Sequence, residues 1–148
     1  MIDEGISKTR KLGITPGLNI IWGNIGEDLG TLRKGVDFLK EHSDGAEMRT
    51  IRPVTPYPGS PLYFHCIKEG LIDKESPAED FYERLHLNSD LLSVNLTDVS
   101  DDEFHKALLS ANNELTEHYF EKQIESYKKQ SEELYLNNNI EFRGYRQS

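Results

Sequence analysis

Three hydroxyl-bearing residues, Thr55, Tyr57 and Ser60, stand in the stretch "RPVTPYPGSP". There Pro53, Pro56, Pro58 and Pro61 place four of the chain's six prolines within nine residues. Each proline fixes φ and removes a backbone donor, so the segment is neither a fully paired central strand nor a helix before Pro61. Such a loop can hold its hydroxyls in fixed directions at the C-terminal edge of a strand, where parallel α/β folds and barrels bind ligands. An equally direct reading makes it a stiff connector with Pro61 at the first position of a helix.

A second candidate is "WGNIGEDLG", Trp22 to Gly30. A glycine-bearing turn between a strand and a helix N-terminus can present backbone N–H groups to an anion. The glycines are spaced GxxG rather than GxGxxG and no GK[ST] follows, so neither the dinucleotide nor the P-loop pattern is met. Glu27 and Asp28 would also repel a phosphate, which leaves a tight turn with an acidic helix start.

The remaining chemistry-bearing residues form no constellation. The histidines His42, His65, His86, His105 and His118 make no HxxxH or HExxH pattern. The adjacent His65 and Cys66 would point about 100° apart on a helix, too far to chelate one metal. Carboxylates such as Glu114, Glu117 and Glu121 fall on solvated helix faces, and no acid–base pair stands out. The lone Cys66 excludes an internal disulfide and any cysteine-based zinc or iron–sulfur site made by this chain alone.

The elements that must position these residues follow from periodicity and breakers. Residues 3–12 read as a short helix stopped by Gly13, and Gly17–Gly23, "GLNIIWG", as a strand covered on both faces. Asp28–His42 carries Leu29, Leu32, Val36 and Leu39 at helical spacing. "AEMRTIRPV", residues 46–54, reads as a second strand, followed by the proline loop and a helix over Pro61–Lys68. Strand, helix, strand, helix is the rhythm of parallel α/β units. The rhythm is then lost: "AEDFYERL" suggests a short helix and "LLSVNLTDV" an irregular or extended piece. Ser100 opens a long helix with a capping-box pattern, running as one element or as two with a break near Lys122. Its stripe is Phe104, Leu108, Ala111, Leu115 and Tyr119, followed less regularly by Ile124 and Tyr127, and it reads as docking surface. The tail, "NNNIEFRGYRQS", is expected to be loose unless Phe142 and Tyr145 dock.

At 148 residues and 36% hydrophobic composition, the chain has room for one domain plus an appendage. A formal charge of −9 argues against nucleic acid or an anionic membrane as the main partner. The acidic N-terminus lacks a signal-peptide pattern and no apolar run approaches a membrane span, so a cytoplasmic protein is expected. Two confident strands make a poor complete sheet, which suggests that the sequence is a piece of something larger.

Taken together and in order, three segments resemble the C-terminal half of a radical SAM enzyme, most closely the cobalamin-binding-type branch. "GLNIIWGNIGED" with the helix "LGTLRKGVDFL" is similar to the family's fifth strand, glycine turn and following helix. "IRPVTPYPGSPLY" resembles its sixth strand and proline loop, and "EGLIDKES...EDFY" its downstream connector. The resemblance covers roughly Ile6 to Asn95. It implies that residues 1–75 are part of a partial (β/α)6 TIM-like barrel and residues 76–148 a helical extension. It further implies an adenine-side contact by Ile21, Gly23 and Asn24 and by Arg52, Pro53 and Val54, with Thr55, Tyr57 and Ser60 on a substrate-side loop. The parity of the second strand is open. Asn19 stands where the family often has glycine, and the family's later acidic residue falls on Gly26, with Glu27 one place on.

The implied cofactors are S-adenosylmethionine and a [4Fe-4S] cluster in the intact enzyme, with cobalamin in this branch. The family's CxxxCxxC has no counterpart here, so the isolated chain is expected to be catalytically incomplete. Its implied partner is the missing N-terminal half or a chain supplying it. A different expectation is a non-catalytic interaction module built on the acidic long helix.

Overall fold

A computed structural model describes residues 2–84 and 94–137. Helix α1 (Ile2–Lys11) leads to strand β1 (Ile20–Trp22), helix α2 (Leu29–Glu41) and strand β2 (Ile51–Pro53). Helices α3 (Pro61–Lys68), α4 (Pro77–Arg84) and α5 (Asp101–Tyr135) follow. The architecture is a small α/β unit: two parallel strands alternating with helices, then a long C-terminal helix.

The strands pair in parallel with Ile20 opposite Ile51, Ile21 opposite Arg52, and Trp22 opposite Pro53. Each is three residues long, shorter than its sequence pattern suggests. Pro53 is compatible with pairing because in a parallel ladder a residue's N–H and C=O face the same neighbour. Ile51, two residues earlier and of the same parity, turns both groups away from β1 toward α5. The N–H that Pro53 lacks would therefore have pointed out of the sheet, while Val54 N–H donates to the Trp22 carbonyl at 2.9 Å.

The outer edge of β2 is closed by a side chain. Ile51 N–H donates to Asn112 Oδ1 at 2.8 Å, and Asn112 Nδ2 donates back to the Ile51 carbonyl at 3.0 Å. The carboxamide thus supplies the donor and acceptor of a missing strand.

One core cluster joins Trp22, Ile51, the α2 residues Leu32, Val36 and Leu39, and the α5 residues Phe104, Leu108, Ala111 and Leu115. The expectation that the first strand is covered on both faces is corrected. Among the described residues helices pack on one face only, and Ile21 on the other is 62% exposed. Trp22 enters the core without an orphaned donor, because its indole N–H reaches the Asp28 carbonyl at 3.0 Å. Asp28 is the N-cap of α2, in a reciprocal capping box with Thr31.

A second cluster unites α3 and α4 through Tyr63, Cys66, Ile72, Phe81 and Val94. Helix α5 instead shares the strand core, so the two clusters interleave across position 75 in sequence. It is a single helix without a break at Lys122, since nothing between Asp101 and Tyr135 is glycine or proline. Residues 85–93 and 138–148, which include His86, Phe142 and Tyr145, lie outside the described residues, as does part of "LLSVNLTDV".

Helices α2 and α5 are also tied by charge. Arg33 grips Glu114 with both terminal nitrogens, at 2.7 and 3.1 Å, and Lys40 reaches the same carboxylate at 2.7 Å. Hydrogen bonds from Arg33, then from Lys40, lower the Glu114 pKa to about 2. A depressed carboxylate pKa stabilises the fold above its ordinary value, and the gain is lost as pH falls from about 4.5 to about 2. All three side chains are partly exposed, so the contribution is about 1 kcal/mol. Glu114→Gln is expected to lower stability at pH 7 by that amount, with the difference from the parent shrinking as pH falls from about 4.5 toward about 2, measured by urea denaturation across this range. Asn112→Leu, which orphans both Ile51 groups, is expected to cost about 2 kcal/mol in the same assay at neutral pH.

Candidate functional site

The C-terminal ends of the two strands bring together the loops that the sequence singles out. β1 leaves the sheet at Gly23, where one oxygen of Glu27 accepts two backbone donors. Gly23 N–H lies at 2.8 Å and Asn24 N–H at 2.7 Å. Asn24 Oδ1 accepts from Ile25 N–H at 2.8 Å. The pair of N–H groups that could have met an anion is therefore taken by the chain's own carboxylate. This agrees with the tight turn read from the sequence. The sequence marks Glu27 as part of the acidic helix start and as a neighbour of the family's acidic position, without its bonds to the turn. The signal was its four-residue offset from Gly23, which lets a glutamate fold back onto a turn.

Gly23 is buried with φ at +102°, and a Cβ there would stand 2.6 Å from the Phe104 ring. Phe104 in turn stacks on Trp22 with ring centroids 4.2 Å apart. Glycine is thus required both by the backbone and by the aromatic ring of α5 pressed onto it. The bare backbone that the resemblance assigns to adenine is covered on this side by Phe104.

β2 leaves through Val54 into the proline loop. Tyr57 N–H bonds to the Thr55 carbonyl at 3.0 Å and Ser60 N–H to the Tyr57 carbonyl at 3.1 Å. With Pro58 and Gly59 at the centre and Gly59 φ at +86°, this is the pattern of a type II turn. Ser60 caps α3, its hydroxyl oxygen accepting Tyr63 N–H at 3.1 Å, and Pro61 opens the helix. The connector reading accounts for Ser60, whose oxygen serves the helix. Thr55 is half-buried, and the exposed Tyr57 has its ring 6.1 Å from that of Phe81.

Strand parity is resolved by the register. Ile21 and Arg52 are partners, both exposed, side by side on the bare face. Pro53 is buried on the opposite, helix-covered face, and half-buried Val54 lies next to Gly23. The six residues assigned to the adenine side therefore divide. Ile21 and Arg52 form one wall, Asn24 sits exposed at the turn, and Gly23, Pro53 and Val54 belong to the packed side or its margin.

Among the described residues no group of three or more His, Cys, Asp or Glu side chains is placed to hold a metal ion. Cys66 is buried in the α3–α4 cluster, and burial pushes its thiol pKa up. Among the same residues no helix is long and apolar enough to cross a membrane. Comparison of the chain with protein-family models, curated proteins and solved structures found no match.

The contact between Gly23 and Phe104 can be measured directly. Gly23→Ala is expected to lose at least about 2 kcal/mol in urea denaturation, from positive φ and overpacking together. Combined with Phe104→Leu, the loss should fall short of the sum of the single changes. Strict additivity would show that the ring and the glycine do not compete for the same space.

Proposed function

We propose that this chain is the C-terminal portion of a radical S-adenosylmethionine enzyme. In this reading β1 and β2 are the last strands of a partial (β/α)6 barrel, and residues 76–148 form a helical extension. The observation that carries it is the one-sided sheet: among the described residues, helices cover one face of the parallel strands, and Ile21 and Arg52 are exposed on the other. A barrel strand has this asymmetry, with helices outside and ligand-facing side chains within. The order of the sequence segments supports the same reading.

Ile21 and Arg52 would then supply an apolar and a cationic patch on the adenine side. Thr55 and Tyr57 stand at the strand exit, toward substrate. The donor set of this chain does not fit a [4Fe-4S] cluster, since its one cysteine is buried in a packed cluster. Cluster and methionine-binding residues belong to a partner bearing CxxxCxxC, and no redox step is assigned to this chain. Cobalamin rests on the branch resemblance and is assigned no residue here. For the intact enzyme the reading implies 5'-deoxyadenosyl radical chemistry, such as methyl transfer, cyclisation or sulfur insertion.

The rival reading, an interaction module using the α5 stripe, is disfavoured because Leu108 and Leu115 are buried against the chain's own core. In calorimetry the isolated chain is expected to show no tight S-adenosylmethionine binding. Mixed with its cluster-bearing half, it should form a complex that binds the molecule, and Ile21→Glu should weaken that binding at least tenfold. Tight binding by the isolated chain, or an unaffected Ile21→Glu complex, would sink the proposal.

A further inference from the structure

The buried residues of α5 end at Leu115, yet the helix runs on to Tyr135, about 30 Å farther. Along this distal half Phe120, Ile124 and Tyr135 are 56%, 52% and 77% exposed, and Tyr127 is 40% exposed. At 100° per residue these four side chains fall within about 80° of one another. Phe104, Leu108, Ala111 and Leu115 lie on the opposite side of the same helix, against the strand core. Ile124 and Tyr127 therefore follow the core stripe irregularly because they belong to a second, outer stripe, which faces away from the α/β unit.

The charges beside the outer stripe indicate what fits it. Residues 120–136 carry Glu121, Glu125, Glu132 and Glu133 against Lys122, Lys128 and Lys129, so this stretch is nearly neutral on a chain of charge −9. A copy of the same stretch meets no strong net repulsion there. Glu121 and Lys128 flank Ile124 on one side of the stripe, seven residues apart and of opposite sign. When two such helices run antiparallel, each Glu121 stands against the second copy's Lys128, and the twofold axis makes the pair twice. Run parallel, the same rows would set Lys128 beside Gln123 and Glu121 beside Thr116, with no charge pair. Antiparallel packing also opposes the two helix dipoles. Each α/β unit lies on the far side of its own helix, which leaves the seam open.

We propose that two copies of this chain pair through the distal halves of their α5 helices, antiparallel, with Glu121 of each facing Lys128 of the other. Ile124 then packs on the exposed part of the second copy's Tyr127, and Phe120 and Tyr135 extend the seam toward its two ends. A seam of a few turns falls at the small end of specific interfaces, under about 1,200 Å², so the pair is a weak one. It does not depend on the barrel reading, because the outer stripe lies away from the strands and the proline loop.

The test is sedimentation equilibrium of the whole chain across a concentration series reaching about 1 mM, the range in which a weak interface is populated. The parent should pass from monomer to dimer. Ile124→Glu, which sets a carboxylate in the seam, should leave a monomer with the parent's circular dichroism and urea midpoint, since the position is exposed. Glu121→Lys and Lys128→Glu each turn both charge pairs repulsive, and each variant alone should self-associate at least tenfold more weakly. Mixed with each other, the two variants should associate as tightly as the parent, because every pair is again of opposite sign. A parent that stays monomeric would overturn the proposal and leave the stripe to an unrelated protein or to the chain's own residues 138–148. A dimer untouched by Ile124→Glu would overturn it in favour of another face. Single charge variants that associate as the parent does, or a mixture of them that stays apart, would overturn the antiparallel register. Failure of the chain to complete a cluster-bearing half would leave all of these outcomes unchanged.

Discussion

The Asn112 carboxamide, bonded to both the N–H and the C=O of Ile51, stands in for a third strand. A parallel sheet of two short strands has little stability of its own, because each strand keeps an unpaired edge. Closing one edge from a helix side chain removes that cost at Ile51, the first residue of the pairing. It also fixes the rotation and height of α5, since a carboxamide can meet both backbone groups in one orientation. With Asn112 so placed, Leu108, Ala111 and Leu115 fall onto the strand core and Glu114 meets Arg33 and Lys40 of α2.

The same placement of α5 controls the end of β1. Phe104 lies two turns before Asn112 and lands on Trp22 and above Gly23. The strand can leave the sheet there only through a glycine in a left-handed conformation, and Glu27 then ties off the freed N–H groups. One helix thus determines the edge of one strand and the exit of the other. Among the described residues, the face of the sheet opposite α2 and α5 is the one that carries Ile21 and Arg52.

Local patterns in the sequence were sufficient for much of this. Leu32, Val36 and Leu39 marked α2, and Pro61 with the stop at Gly70 marked α3 to the residue. No glycine or proline stands between Asp101 and Tyr135, and α5 runs through Lys122, where the sequence left a break open. These features depend on neighbours within a few positions, where spacing and propensity act directly. The candidate site was less legible. Its two loops were visible from their glycines and prolines, but Ser60 proved to be a helix cap. Gly23 and Pro53 fell on the packed side and half-buried Val54 at its margin, while Ile21 and Arg52 came together, exposed, on the other.

What the sequence by itself determined was the alternation of strands and helices, the rigidity of the proline loop, and the absence of cluster-binding cysteines. Tertiary structure alone decided the register, which face of the sheet is bare, and where α5 docks. Asn112 and Ile51 are 61 residues apart, Arg33 and Glu114 81. Nothing in the local pattern of either partner announces the other. A hydrophobic stripe specifies that a face will be buried, whereas hydrogen-bond geometry between distant residues specifies against what.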